Sequence, residues 1–113
     1  MLVINRFVVA EDAAGGFEER GRAALAALAA RPGYQAGRLT RALDDPAHWS
    51  LVTEWASVGA YRRALSDFDV KVSAIPLMAE SIDEPSAFEE LATAEPGGEV
   101  RVAGSDRAAH PHR

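Results

Sequence analysis

The 113-residue sequence contains no cysteine, which excludes a disulfide framework, a thiolate nucleophile and a cysteine-ligated metal centre. No apolar run approaches the roughly 18 residues that a membrane-spanning helix needs. The first positive charge, Arg6, follows the apolar start, whereas a secretory signal places its positive charge first. We therefore expect a cytoplasmic protein that does not contact a membrane.

Positive charge is scarce along the whole chain. There are 12 Lys and Arg residues against 17 Asp and Glu residues, which gives a formal net charge of -5. The longest basic run is the pair Arg62-Arg63. Nucleic acid binding depends on clustered positive charge, because contacts to phosphates supply much of the affinity. The sequence therefore predicts no nucleic-acid partner.

Large apolar side chains are also few. Hydrophobic residues form 48% of the sequence, but 23 of them are alanine, so the core must be small. A chain of this length fits one domain, and such a domain buries roughly 60 to 65% of the surface that its unfolded chain exposes. Burial between subunits would add stability, and we expect a homo-oligomer.

The apolar pattern predicts strands and helices in alternation. Residues 2–10 are β-prone and apolar on both alternating faces, which predicts a strand covered on both sides. An amphipathic helix follows and ends at Arg31-Pro32-Gly33, because proline cannot continue the hydrogen-bond ladder. Residues 34–43 and 48–55 are predicted to form a hairpin, since Asp44-Asp45-Pro46 has the composition of a turn.

The second half of the chain predicts one more helix and one more strand. Ser57 is a suitable cap for the helix. The strand is expected within residues 78–91, where Pro85 restricts it to a sheet edge or a bulge. Residues 93–113 have no aromatic side chain and are rich in Gly, Pro and Ala, which predicts a disordered tail after a domain of residues 1–92.

The order strand, helix, strand, strand, helix, strand is typical of an α+β fold of the ferredoxin-like type. In that βαββαβ arrangement the sheet is antiparallel and both helices lie on one face. The other face needs a cover, because the first strand is apolar on both sides. The simplest cover is the equivalent sheet of a second copy.

Four segments, taken together and in this order, resemble the antibiotic biosynthesis monooxygenase domain. They are MLVINRFVV at the start, Arg31-Pro32-Gly33-Tyr34, the Asp44-Asp45-Pro46 turn, and LVTEWAS (residues 51–57) followed by Ala60-Tyr61-Arg62. The resemblance covers residues 2 to about 91. It implies a homodimer whose sheets form an α+β barrel. The family includes quinone-forming oxygenases, haem-degrading enzymes and domains of unknown substrate, so the fold alone does not decide the chemistry.

The quinone-forming members imply the first functional hypothesis, the oxidation of a small aromatic substrate by O2 without a cofactor. Residues implicated in those enzymes are a Trp at the end of the third strand and a Tyr six positions later, which Trp55 and Tyr61 match. Their indole N–H and phenol O–H groups are expected to hydrogen-bond the substrate, as catalytic and substrate-binding residues. The same pattern has an Asn where this chain has Leu51. The alternative is a non-catalytic dimeric binding domain in which both aromatic residues serve packing.

Asn5 is the third predicted substrate-binding residue. An amide in an apolar strand costs roughly 1 to 3 kcal/mol unless it finds partners, so Asn5 is expected to face a pocket or bond a loop. In the haem-degrading branch an Asn on the first strand lies beside haem, and Asn5 aligns with it. That branch also has a ligating His after the second helix, and residues 70–75 contain none. Haem binding is therefore the lesser alternative.

Other polar residues are secondary candidates, and neither a metal site nor a cofactor is predicted. His48 is a spare candidate for a catalytic base, with a solvated turn residue as the alternative. His110 and His112 are assigned to the tail. Three arginines lie on predicted strands, where they either face an anionic substrate or act as solubilising surface charge: Arg6, Arg38 and Arg41.

Overall fold

Strands and helices alternate along the chain in the computed structural model, which describes residues 1–104. The strands are β1 (Leu2–Val8), β2 (Tyr34–Arg41), β3 (His48–Trp55), β4 (Ala87–Phe88), β5 (Ala92–Thr93) and β6 (Arg101–Val102). The helices are α1 (Ala14–Ala29), preceded by a 3-10 turn at Glu11–Ala13, then α2 (Val58–Ala64), α3 (Phe68–Ser73) and α4 (Ile75–Met78).

Four of the strands form one antiparallel sheet in the order β2-β3-β1-β4. This order confirms the predicted ferredoxin-like fold, since the first and third strands are central and the second and fourth are edges. One side of the sheet is covered by helices: Val3 and Phe7 on β1 and Leu51 and Trp55 on β3 are all buried. Helix α1 packs across β2 and against α3 and α4.

The helix boundaries follow local sequence signals. The Ser57 hydroxyl accepts a hydrogen bond from the Ala60 N–H at 3.0 Å, which confirms the predicted cap. Helix α3 begins in the same way, because the Asp67 carboxylate accepts from the N–H groups of Asp69 and Val70 at 3.1 and 3.3 Å. Gly33 has a φ of 88°, the left-handed conformation that favours glycine after a helix.

The segment between the second helix and the last strand differs from the prediction. Residues 68–78 form two short helices, and Pro76 stands in the first turn of α4, where proline is tolerated. Val70, Ala74 and Leu77 are buried there. The strand expected in residues 78–91 is reduced to Ala87–Phe88, which pairs with β1 at the sheet edge.

The first strand is covered on one side within a single chain. Val8 on its other side is 62% exposed, so the two-sided cover predicted for this strand is not present in the monomer. Beyond the sheet, β5 and β6 pair as a two-stranded ladder. Residues 105–113 of the predicted tail, which include His110 and His112, lie outside the described residues. No helix among residues 1–104 has the length and apolarity needed to cross a bilayer.

Candidate functional site

Trp55 is the centre of an aromatic cluster at the end of β3. Its side chain is fully buried. The ring of Tyr34 meets it edge-on at a centroid distance of 5.5 Å, and the ring of Tyr61 lies tilted against it at 5.6 Å. The backbone is also fixed at this point, because the Ala56 N–H donates to the Gly33 carbonyl at 2.8 Å. The spacing of Trp55 and Tyr61 across a strand-to-helix turn therefore brings the two side chains into contact.

The indole N–H of Trp55 has a partner inside the protein. It donates to the Thr53 hydroxyl at 2.8 Å, and both residues are buried on the helix-covered side of the sheet. A donor that is already satisfied is not free to hold a substrate carbonyl. In this geometry Trp55 offers an apolar ring face, and the expected substrate contact through its N–H is not available.

Tyr61 lies on α2 and is partly buried. This burial raises the pKa of its phenol above the ordinary tyrosine value, because the phenolate would lose hydration. The phenol is therefore neutral at physiological pH. A neutral phenol can donate a hydrogen bond or a proton, and it is a poor base.

Asn5 occupies a position that the sequence alone did not reveal. It lies on β1 directly opposite Leu51 on β3, and directly opposed side chains have Cβ atoms roughly 4.5 to 5.5 Å apart. Leu51 is the position at which the oxygenase pattern has an amide. Asn5 is only 7% exposed, and the hydrogen bonds found within residues 1–104 include none from its side chain. A buried amide is thus present beside Leu51, supplied by the neighbouring strand.

The structure brings two of the three predicted residues into direct contact. Trp55 and Tyr61 touch, whereas Asn5 lies opposite a residue four positions before Trp55 on β3. That separation is about 13 Å along the strand. Three cavities along residues 1–104 are lined by other residues. Because Trp55 is fully buried, contact with its ring requires movement of the side chains around it.

His48 and two of the arginines do not join this site. His48 is exposed at the start of β3, with its Nε2 atom 3.2 Å from Asp45 Oδ2. Arg6 and Arg38 are exposed on the uncovered side of the sheet, where they face Glu84 at 3.5 Å and Glu54 at 3.9 Å. Among residues 1–104 no group of three or more His, Asp or Glu side chains is arranged to hold a metal ion.

Sequence reasoning missed Trp49, which is buried on the same side of the sheet as Trp55. Arg41 lies over its ring at 5.2 Å from the centroid, and both residues line a cavity of about 370 Å³. Strand alternation along β3 puts positions 49, 51, 53 and 55 on one face. This alternation is the sequence signal that could have identified Trp49 as a buried residue.

Comparison with known proteins gives a family and a fold. The model of the family "Antibiotic biosynthesis monooxygenase" matches residues 1–71. Among solved structures the chain is similar to SnoaB, a cofactor-independent oxygenase from Streptomyces nogalater, at 29% sequence identity and a TM-score of 0.63, covering 80% of this chain and 94% of SnoaB. No curated protein sequence matches the chain significantly.

Two further structures share the fold at lower identity. A conserved protein from Methanosarcina mazei is 16% identical, with a TM-score of 0.63 over 76% of this chain and 84% of that one. A protein from Mycobacterium tuberculosis is 19% identical, with a TM-score of 0.61 over 96% of this chain and 97% of that one. Both similarities concern the fold and carry no information on the reaction.

Proposed function

Since the chain belongs to the antibiotic biosynthesis monooxygenase family, we propose that it is a cofactor-independent monooxygenase that oxidises a small aromatic substrate, a phenol or an anthrone, with O2. The observation that carries the proposal is the contact between Trp55 and the partly buried phenol of Tyr61. The similarity to SnoaB supports the reaction class.

The proposed reaction needs no group beyond the substrate and O2. The carbanion of a deprotonated anthrone adds to O2, which forms a carbon–oxygen bond and a peroxide anion. Protonation of that anion and loss of water cleave the oxygen–oxygen bond and leave the quinone carbonyl. A CH2 group and O2 thus become C=O and H2O, and the substrate supplies all the electrons that O2 takes up. The protein's contribution is placement and proton transfer.

Each site residue has one role in this scheme. The Tyr61 phenol, kept neutral by its raised pKa, donates a proton to the peroxide anion. The Asn5 amide donates a hydrogen bond to negative charge that develops on the substrate oxygen, a contact that is worth a few kcal/mol in other enzymes. The fully buried Trp55 ring packs against Tyr61 and fixes the position of its phenol.

The test is oxygen uptake by the metal-stripped protein with a panel of anthrones and hydroquinones, corrected for spontaneous oxidation. We expect protein-dependent uptake of one O2 per quinone formed. Tyr61→Phe should lower turnover by about 100-fold, because general acid catalysis contributes at least that much. Tyr34→Phe is the matched control, since it removes the phenol hydroxyl of the other tyrosine that packs against Trp55 and should leave turnover unchanged.

The competing function is that of a non-catalytic binding domain, favoured by the pairing of the Trp55 N–H with Thr53. That function predicts saturable binding of the same compounds and no protein-dependent uptake across the panel. Equal turnover of the Tyr61→Phe and wild-type proteins would remove Tyr61 from the mechanism and leave the oxygenase proposal without its proton donor.

We also propose a homodimer that buries the uncovered side of the sheet. Ile4 lies directly opposite Val52 there, and Leu2 lies opposite Phe88. With Val8 these residues form an apolar face on the side away from the helices, and exposed apolar faces of this kind mark interaction surfaces. A stable interface typically buries about 1,200 to 2,000 Å² in total.

The dimer is tested by light scattering after size exclusion. Val52→Arg should give a monomer, because it places an unpaired positive charge in the surface that the dimer buries. Leu43→Arg is the control, since Leu43 is fully exposed in the β2–β3 turn and away from this face. A wild-type monomer at micromolar concentration would contradict the proposal.

A further inference from the structure

Trp49 carries an unpaired polar group in the core. Its side chain is 5% exposed, and its indole N–H is buried without an acceptor among residues 1–104. A buried donor without a partner costs about 1 to 3 kcal/mol, and such groups in folded proteins call for a reason. The residues of the site proposed above do not supply one. Trp55 is six residues away on β3, about 20 Å along the strand, and Asn5, two residues from Phe7, which pairs with Trp49, does not accept from this N–H.

The space beside Trp49 has the size of a ligand site. The cavity measures about 370 Å³, within the range of about 300 to 1,000 Å³ for small-molecule sites. It lies between α1 and the ends of β2 and β3. Leu25 and Leu39 form its apolar part, and its polar lining consists of Thr40, Glu18 and two arginines, Arg22 and Arg41.

The charges of this cavity favour an anion. Arg22 is paired with Glu18 one helical turn away, so these two charges compensate each other. Arg41 has no carboxylate within ion-pair distance among residues 1–104, and its guanidinium lies over the Trp49 ring. One positive charge is therefore left without a counter-charge at the edge of the cavity.

The space on the other side of Arg41 has the opposite character. A second cavity of about 380 Å³ is lined there by Arg41 together with Glu11 and Asp45. Two carboxylates outnumber the single guanidinium in that cavity. An anion is therefore favoured only on the side of Arg22 and Trp49.

We propose that the cavity beside Trp49 is a second binding site, which takes a small organic monoanion with an apolar body. A carboxylate pairs with the Arg41 guanidinium, a geometry for which arginine is well suited. The apolar body packs on Leu25 and Leu39, and a ligand oxygen gives the Trp49 N–H the acceptor that it lacks. This inference does not depend on the proposed oxygenase activity.

The probe is benzoate, and the readout is the pair of indole N–H signals in a proton–nitrogen correlation spectrum of the full-length wild-type protein. The chain has two tryptophans, and a Trp49→Phe variant assigns the signals. We expect benzoate to shift the Trp49 signal saturably at submillimolar to millimolar concentration, an affinity usual for so small a ligand. The Trp55 signal should stay in place, since its N–H is bound to Thr53.

Three comparisons make the result specific. Benzamide has the same shape without the charge and should bind at least about tenfold more weakly. Arg41→Gln should weaken benzoate binding by a similar factor, whereas Arg38→Gln, on the uncovered side of the sheet, should leave it unchanged. A Trp49 signal that does not respond to benzoate, or that responds equally in the Arg41→Gln protein, would overturn the proposal.

Discussion

Each end of β3 carries a buried tryptophan, and the two indole N–H groups differ in whether they have a hydrogen-bond acceptor. Trp49 and Trp55 share one face of the strand and are both buried, yet only the Trp55 indole N–H has an acceptor, the Thr53 hydroxyl. The residue two positions after Trp49 on the same face is Leu51, which offers none. Strand alternation therefore decides which tryptophans are buried, and the residue two positions away decides whether burial leaves a polar group unpaired.

The two ends also differ in their surroundings. The Trp55 ring packs against the rings of Tyr34 and Tyr61, and the Ala56 N–H donates to the Gly33 carbonyl beside it. The Trp49 ring meets the ring of Phe17 at a centroid distance of 5.3 Å and is covered by the side chain of Arg41. The Trp49 end also borders a cavity, and we infer that this end has room for a ligand.

The largest expected effect comes from Gly33, whose carbonyl accepts a hydrogen bond from Ala56 at the Trp55 end of β3. In Gly33→Ala the backbone of an L residue would have to adopt the left-handed conformation, which costs about 1 to 2 kcal/mol. The new Cβ would also overlap the Cβ of Ala60 on α2. Overpacking adds about 1 to 3 kcal/mol, so denaturation should show a loss of about 2 to 5 kcal/mol in the free energy of unfolding.

Gly16→Ala is the matched control for that substitution. Gly16 lies in α1 with nothing near its missing side chain, so alanine should stabilise the protein by about 0.5 to 1 kcal/mol. Similar stability changes for the two glycine variants would contradict the support that we assign to Gly33.

The second prediction compares the two tryptophans directly by urea denaturation. Trp55→Phe removes volume from a fully buried position and leaves the Thr53 hydroxyl without its donor, so it should cost about 2 to 3 kcal/mol. Trp49→Phe removes similar volume but also removes an unpaired N–H, and these effects offset each other to within about 1 kcal/mol. Equal losses for both variants would show that the Trp49 N–H is satisfied in solution.

The fold and two residues at the Trp55 end were predictable from the sequence. The position of Asn5 opposite Leu51 and the unpaired Trp49 N–H were not. The order of strands and helices follows from local signals, namely alternation and the Ser57 cap, and the resemblance to the monooxygenase family singled out Trp55 and Tyr61. The opposition of Asn5 and Leu51 depends on the register between β1 and β3, which are distant in the chain. The isolation of the Trp49 N–H depends on tertiary neighbours. Helices α3 and α4 were not predicted, because with six and four residues they are too short to show a clear helical period.

The third prediction concerns Asn5, which lies on β1 opposite Leu51, a position between Trp49 and Trp55 on β3. Asn5→Leu replaces a largely buried polar side chain with an apolar one of similar size. Because the Asn5 amide is not among the fully buried unpaired groups of residues 1–104, the free energy of unfolding should change by no more than about 1 kcal/mol. If the amide serves the oxygenase site, the same variant should lose turnover in the oxygen-uptake assay. A larger loss of stability would show that Asn5 has a structural partner.

The smallest expected effect is a dependence of the free energy of unfolding on pH, which arises from Tyr61 at the Trp55 end of β3. Burial raises the pKa of Tyr61 in the folded protein, so above the ordinary tyrosine pKa near 10 the unfolded chain loses this proton first. Ionisation then favours the unfolded state, and the associated stability is lost as the pH rises through the folded pKa. Tyr61→Phe should therefore lose less stability than the wild type between neutral pH and about pH 11 in urea denaturation. Trp49→Phe should follow the wild-type curve, since Trp49 does not contact the phenol. Parallel curves for the Tyr61→Phe and wild-type proteins would mean that the phenol is hydrated, and the proposed proton donor would then titrate like a surface tyrosine.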